Sequence, residues 1–213
     1  MISSTRKPYL SISLIASLSF IVLQGCTPLG VATGIGATAG IASAKEGGLK
    51  QSVRDVQIQA VINDLWFKHN IEMFRKLNMT VEQGRVLITG VVQDPEHRVE
   101  AIRLAWQAPH VKQVINEVQV ADSEGVRGFV TDSWITTKLR TAILLDRDIS
   151  SINYSIDTVQ SVVYLMGNAN SQQELNEVMD HARTTQHVKQ VVSYVKMLGE
   201  PVAEAGTGMD MTP

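Results

Sequence analysis

The 213-residue chain reads as an α+β protein made of two tandem copies of one small domain. Three observations carry that reading. His110-Val111-Lys112-Gln113-Val114 recurs 77 residues later as His187-Val188-Lys189-Gln190-Val191. The same offset lays Val86-Leu87-Ile88-Thr89-Gly90 on Val163-Tyr164-Leu165-Met166-Gly167. It also lays Asp55-x-x-Ile58-x-x-x-Ile62 on Asp132-x-x-Ile135-x-x-x-Leu139. Three separated blocks sharing one ungapped displacement mark an internal repeat. The copies fall at 50–122 and 127–198, joined through Asp122 to Gly125.

Each copy opens on a helical stripe, Ile58, Ile62, Leu65 and Trp66 in the first and Ile135, Leu139, Ala142 and Ile143 in the second. The spacing i, i+4, i+7, i+8 is one apolar face of an α-helix. Two short strands follow, at 77–81 and 85–91 around Glu82-Gln83-Gly84, and at 154–158 and 162–166 in the second copy. Gly90 and Gly167 end the second strand as structural positions, where a missing Cβ permits a positive φ or close backbone approach. A second helix starts near Asp94-Pro95-Glu96, where proline suits the first turn. Its counterpart starts near Ser171, with Glu174 three residues on as a capping box. A last strand, 111–120 or 188–197, completes the order αββαβ. The expected unit is a small mixed three-stranded sheet with two helices over one face.

The N-terminus carries an address. Arg6 and Lys7 precede an apolar stretch at 10–22 that is too short to span a bilayer comfortably, which takes ~20 residues. It ends in Leu23-Gln24-Gly25-Cys26, which resembles the bacterial lipobox and implies a signal peptide over 1–25 with lipidation at Cys26. Several acyl chains would hold the protein on a membrane stably. Thr27 rather than aspartate follows the cysteine, a pattern that by resemblance to enterobacterial sorting favours the outer membrane. Residues 26–49 read as a Gly/Ala-rich tether. The pairs Gly30/Gly34 and Gly36/Gly40 have the spacing that joins transmembrane helices, but so short a run of small side chains reads as flexible. Residues 199–213, with two prolines and three acids, read as a disordered tail.

Composition removes several function classes. A net charge of -2 and 5% aromatic residues give no footprint for nucleic acid. Cleavage after Gly25 would leave 17 basic and 21 acidic residues, net -4. A lone cysteine excludes an internal disulfide and a cysteine-rich zinc site. The histidines (His69, His97, His110, His181, His187) form no H-E-x-x-H motif, and neither G-x-S-x-G nor a P-loop occurs. The expectation is a non-enzyme without metal or cofactor. Trp66 is expected in the core, and Trp106 in the core or at a domain interface.

The strand ending in Gly90 or Gly167, the helix after it and the terminal H-V-K-Q-V strand together resemble the BON domain family. The resemblance implies a bacterial envelope protein associated with membrane or phospholipid. Lipobox and two copies together look like the dual-BON outer-membrane lipoproteins. Asp132-Ser133-Trp134-Ile135-Thr136-Thr137-Lys138-Leu139-Arg140 is similar to the opening of that group's second domain. By that resemblance the first helix of the second domain binds anionic phospholipid, and the tryptophan matching Trp134 enters the bilayer. The resemblance also implies a lipid-anchored position facing the periplasm, a role in outer-membrane integrity, and proximity to division sites or the outer-membrane protein assembly machinery.

The residues support this reading by themselves. Projected at 100° per residue over 131–145, Trp134, Lys138, Thr141 and Leu145 form a second stripe, centred about 120° from the core stripe. Their equivalents in the first copy, Gln57, Val61, Asp64 and Lys68, read as a solvated face. Tryptophan suits a bilayer interface, and lysine reaches phosphate from there. The alternatives are Trp134 packed against the first copy, and a protein–protein adaptor docking a partner through this helix. The first copy (55–122) has 7 basic and 9 acidic residues and the second (126–198) has 7 of each. Any anionic-lipid preference therefore rests on Lys138, Arg140, Arg147 and Arg127, at ~1 kcal/mol each and screened by salt.

Overall fold

The structure, a computed structural model, describes residues 48–122 and 125–202, with side chains from residue 50. The leader 1–25, Cys26, the tether up to residue 47 and residues 203–213 of the tail lie outside the described residues.

Helix α1 (Gly48–His69) buries Ile58, Ile62 and Trp66 completely. A short helix α2 (Ile71–Lys76) follows, capped by Asn70, whose side chain accepts the N–H groups of Glu72 and Met73. Strands β1 (Leu77–Glu82) and β2 (Arg85–Val92) pair antiparallel. Helix α3 (Pro95–Ala105) starts on an Asp94 cap with proline in its first turn, and β3 (Gln113–Val120) lies parallel to β2. The second copy repeats this with α4 (Gly125–Leu145), β4 (Tyr154–Val159), β5 (Val162–Ala169), α5 (Gln172–Thr184) and β6 (Gln190–Met197). Its sheet order is β4-β5-β6, matching β1-β2-β3. Where the first copy has α2, the second has one 3-10 turn, Ser151–Asn153.

The repeated aspartate ties each opening helix to its hairpin. Asp55 accepts the N–H groups of Gln83 and Gly84 at 2.9 Å, and Asp132 accepts those of Gln160 and Ser161 at 2.8 Å. All four turn residues have positive φ, which leaves these amides without a ladder partner, so the carboxylate supplies one. Asp132→Ala removes two charge-assisted bonds and is expected to cost about 2–3 kcal/mol. It should appear as a lower urea midpoint with an unchanged m-value.

Three boundaries differ from expectation. The strands do not stop at Gly90 and Gly167: pairing continues through Val92↔Val120 and Ala169↔Met197. The glycines sit inside the strand because the chain entering β1 or β4 crosses them closely. The last strands begin at Gln113 and Gln190, since His110 and His187 have φ of 71° and 70°, incompatible with a strand. Both histidines are thus shared turn positions. Finally, Ser171 caps α5 by accepting the Glu174 N–H at 3.1 Å, but the capping box is not reciprocal. The Glu174 carboxylate instead accepts N–H groups from Asn170 and Ser150, each at 2.8 Å.

The faces of the sheets not covered by helices cover each other. On β2, Val86, Ile88 and Val92 join the first helical core, while Leu87 and Val91 turn the other way. On β5, Val163, Leu165 and Ala169 join the second core, while Val162, Tyr164 and Met166 turn away. Leu87 and Ile115 meet Val159, Tyr164 and Met166 in a third apolar cluster between the sheets. Arg85 donates to the Tyr194 carbonyl at 2.9 Å, and the Tyr194 hydroxyl donates to Glu117. The layer order is helices, sheet, sheet, helices.

A second carboxylate lies in this junction. Asp157 accepts the Thr89 hydroxyl from the other copy and the Thr158 N–H at 3.0 Å. Burial pushes its pKa up, the bonds from Thr89 and Thr158 oppose that rise, and the charge of Asp132 adds to it. The folded carboxyl therefore holds its proton more tightly than the unfolded chain does. Its contribution to stability is greatest in acid and falls as pH climbs from the ordinary aspartate range, near 3.9, through the raised value. Asp157→Asn should remove that slope. Its urea midpoint relative to the parent should rise between about pH 4 and about pH 7.

Candidate functional site

Helix α4, 21 residues and about 31 Å long, packs Ile135, Leu139 and Ile143 into the second core. Away from that core, Val126, Phe129, Val130, Leu144 and Leu145 are each more than half exposed, and Trp134 is 41% exposed. They fall in two groups on the outer side of the helix, Val126, Phe129, Val130 and Trp134 on the first turns and Leu144 and Leu145 on the last, an apolar strip interrupted by exposed Thr137, Lys138, Arg140 and Thr141. Lys138, Thr141 and Leu145 are exposed as the projection expects, and the Thr141 hydroxyl donates to the Thr137 carbonyl at 2.8 Å. Arg127, Lys138 and Arg140 border the strip in solvent, with Arg147 just past its end.

Trp134 stands edge-on to His187, with ring centroids 5.6 Å apart and an interplanar angle of 70°. The indole is steadied by the left-handed turn of its own copy. The ring partner of Trp134 thus lies in its own copy. Trp106 is 43% exposed and belongs to neither core nor interface, whereas Trp66 is buried and donates from Nε1 to the Ala101 carbonyl at 3.1 Å.

Sequence reasoning missed Val126, Phe129 and Val130 because it started this helix at residue 131. The available signal was Val126-Arg127-Gly128-Phe129-Val130, which continues the i, i+3, i+4 spacing upstream. Leu144 lay within the projection but off the chosen stripe. The first copy also departs from a plain solvated face. Gln57, Asp64 and Lys68 are exposed, with Lys68 paired to Asp64 at 2.7 Å, and Val61 leans on the core. Yet Val53, Val56 and Phe67, directly opposite the α1 core stripe, are exposed as well.

Beside the α4 strip, a cleft of about 530 Å³ opens between the domains. Arg75, Lys76 and Asn78 of the first domain line it, facing Phe129, Ser133 and Thr137 of α4, with Asp157 also in the lining. Magnitudes rank the forces on this surface. Six partly exposed apolar side chains at roughly 1 kcal/mol each outweigh the three or four neighbouring cations, at ~1 kcal/mol each before screening by salt. Apolar insertion would dominate, and charge would tune it. Among the described residues no helix is long and apolar enough to cross a membrane.

Known proteins share this organisation. The family profile described as BON domain matches residues 54–122 and 131–199. A protein encoded in the gshII 5′ region of Anaplasma centrale is 42% identical over 146 residues, 68% of this chain and 95% of that protein. Outer membrane lipoprotein DolP of Haemophilus influenzae is 28% identical over 123 residues, 58% of this chain and 63% of its own length. Osmotically-inducible protein Y of Escherichia coli is 24% identical over 144 residues, 67% of this chain and 72% of that protein.

Proposed function

The chain belongs to the BON domain family, and on that premise we propose that it is a non-enzymatic envelope protein that engages anionic phospholipid through helix α4. It is held by acyl chains on Cys26 at the outer membrane, facing the periplasm, and supports the integrity of that membrane. The similarity to an outer membrane lipoprotein and the Leu23-Gln24-Gly25-Cys26 sequence support the location. The observation that carries the lipid reading is the α4 strip, six apolar side chains with a half-seated tryptophan and a cationic border. Lys138 and Arg140 reach phosphates while Trp134, Leu144 and Leu145 enter the interface; Thr141 lies between them.

The test is co-sedimentation of an anchor-free form, residues 49–213, with vesicles. Vesicles containing phosphatidylglycerol should retain it, purely phosphatidylcholine vesicles should retain much less, and added salt should narrow the gap without closing it. A folded protein that stays in solution with both lipids would contradict the reading. The strip would then be the docking surface of an adaptor, with the outer-membrane assembly machinery as the first partner to try.

A further inference from the structure

The interdomain cleft holds an open cation next to open hydroxyl donors. The Lys76 ammonium is engaged by Glu72 at 2.6 Å and by Gln93, but Arg75, adjacent to it and exposed, has no hydrogen-bond or ion-pair partner among the described residues. Across the cleft, the Ser133 and Thr137 hydroxyls also have no partner among the described residues. Four residues apart on α4, they stand one above the other on one face, with exposed Phe129 a turn further toward the N-terminus.

The two nearby carboxylates are already occupied. Asp132 holds the β4–β5 turn, and Asp157 accepts Thr89 and Thr158. What remains available is a guanidinium fork and two hydroxyls, a donor set matched to a phosphate-type oxyanion. Beside the cleft the α4 strip presents Val126, Phe129 and Val130, so an anion seated here carries its apolar body along that strip.

We propose that the cleft seats the phosphodiester of an anionic phospholipid headgroup, with Arg75 as its charged ligand and the Ser133 and Thr137 hydroxyls as further donors. This rests on the membrane-contact reading of α4 and deepens it. The first domain supplies the cation and the second the membrane face, so headgroup choice requires both copies.

The test uses the full-length acylated chain in phosphate-free maltoside micelles, following the Ser133 and Thr137 amide resonances. Phosphatidylglycerol, phosphatidylcholine and soluble glycerol phosphate are the probes. Phosphatidylglycerol should shift both resonances saturably, phosphatidylcholine should not, and glycerol phosphate should do so more weakly. Arg75→Gln should weaken the phosphatidylglycerol response about tenfold, with partial recovery in Arg75→Lys, while Trp134 stays accessible to a micelle-bound quencher. Equal affinity of Arg75→Gln and the parent would overturn the headgroup site and leave the α4 reading intact. Glycerol phosphate binding as tightly as the lipid would make the cleft a site for soluble organophosphates, overturning the lipid assignment. Failure of the α4 reading is separately visible, as a Trp134 that the micelle quencher never reaches.

Discussion

Trp134→Glu is expected to lower the affinity of the anchor-free protein for phosphatidylglycerol vesicles by at least about thirtyfold. Losing a large part of one indole's burial accounts for about 2 kcal/mol, which is roughly that factor. A carboxylate in its place adds desolvation and repulsion from the anionic surface. The side chain is 41% exposed and touches His187 edge-on, so its removal leaves Ile135, Leu139 and Ile143 packed and the fold standing. Gln57→Glu, at the repeat-equivalent position of α1, should bind as the parent does. Vesicle affinities and urea midpoints of both variants check this together. A Trp134→Glu protein that binds normally would remove α4 from the membrane contact.

Gly167→Ala should be the most damaging of the small substitutions, at about 3 kcal/mol or more. The residue sits at φ 145°, where a side chain is strained, and its Cβ would fall 1.9 Å from the Asn153 carbonyl oxygen. Backbone cannot yield there without unpairing Tyr154 from Gly167 at the start of β4. Gly90→Ala meets the Lys76 carbonyl at 2.3 Å at φ 130° and should follow the same course in the first domain. Thermal or urea unfolding measures both, and a loss below about 1 kcal/mol at Gly167 would mean the crossing relaxes more than a closely packed sheet should.

Much of the fold was legible because the repeat supplied each copy with a second witness. The αββαβ order, the parallel return strand and the buried faces of α1 and α4 follow from periodicities that agree between the copies. The pairing of the two sheets was legible but unread. Val86-Leu87-Ile88 and Val163-Tyr164-Leu165-Met166 run apolar without alternation, the pattern of a strand covered on both faces. With helices covering one face, the other copy was the available cover. The site was read in part. Trp134, Lys138, Thr141 and Leu145 are exposed on α4 as projected, but the projection starts at residue 131 and leaves out the first turns, where Gly125 and Gly128 have poor helix propensity. Tertiary context overrides that weak preference, as Gly128 lies buried in the helix. The cleft could not be read at all, since Arg75 and Ser133 are 58 positions apart and belong to different domains.

The measurement closest to the central claim is quenching of Trp134 by brominated phospholipid, using the full-length acylated chain with Trp106→Phe on vesicles. Trp66 is buried in the first core, so Trp134 is then the tryptophan that lipid can reach. With acyl chains on Cys26 holding the protein on every vesicle, as proposed, quenching would report the docking of α4 rather than residence. Quenching by bromines near the top of the acyl chains is expected, strong with phosphatidylglycerol and weak with phosphatidylcholine alone. Unquenched Trp134 on phosphatidylglycerol vesicles that carry the protein would contradict that claim.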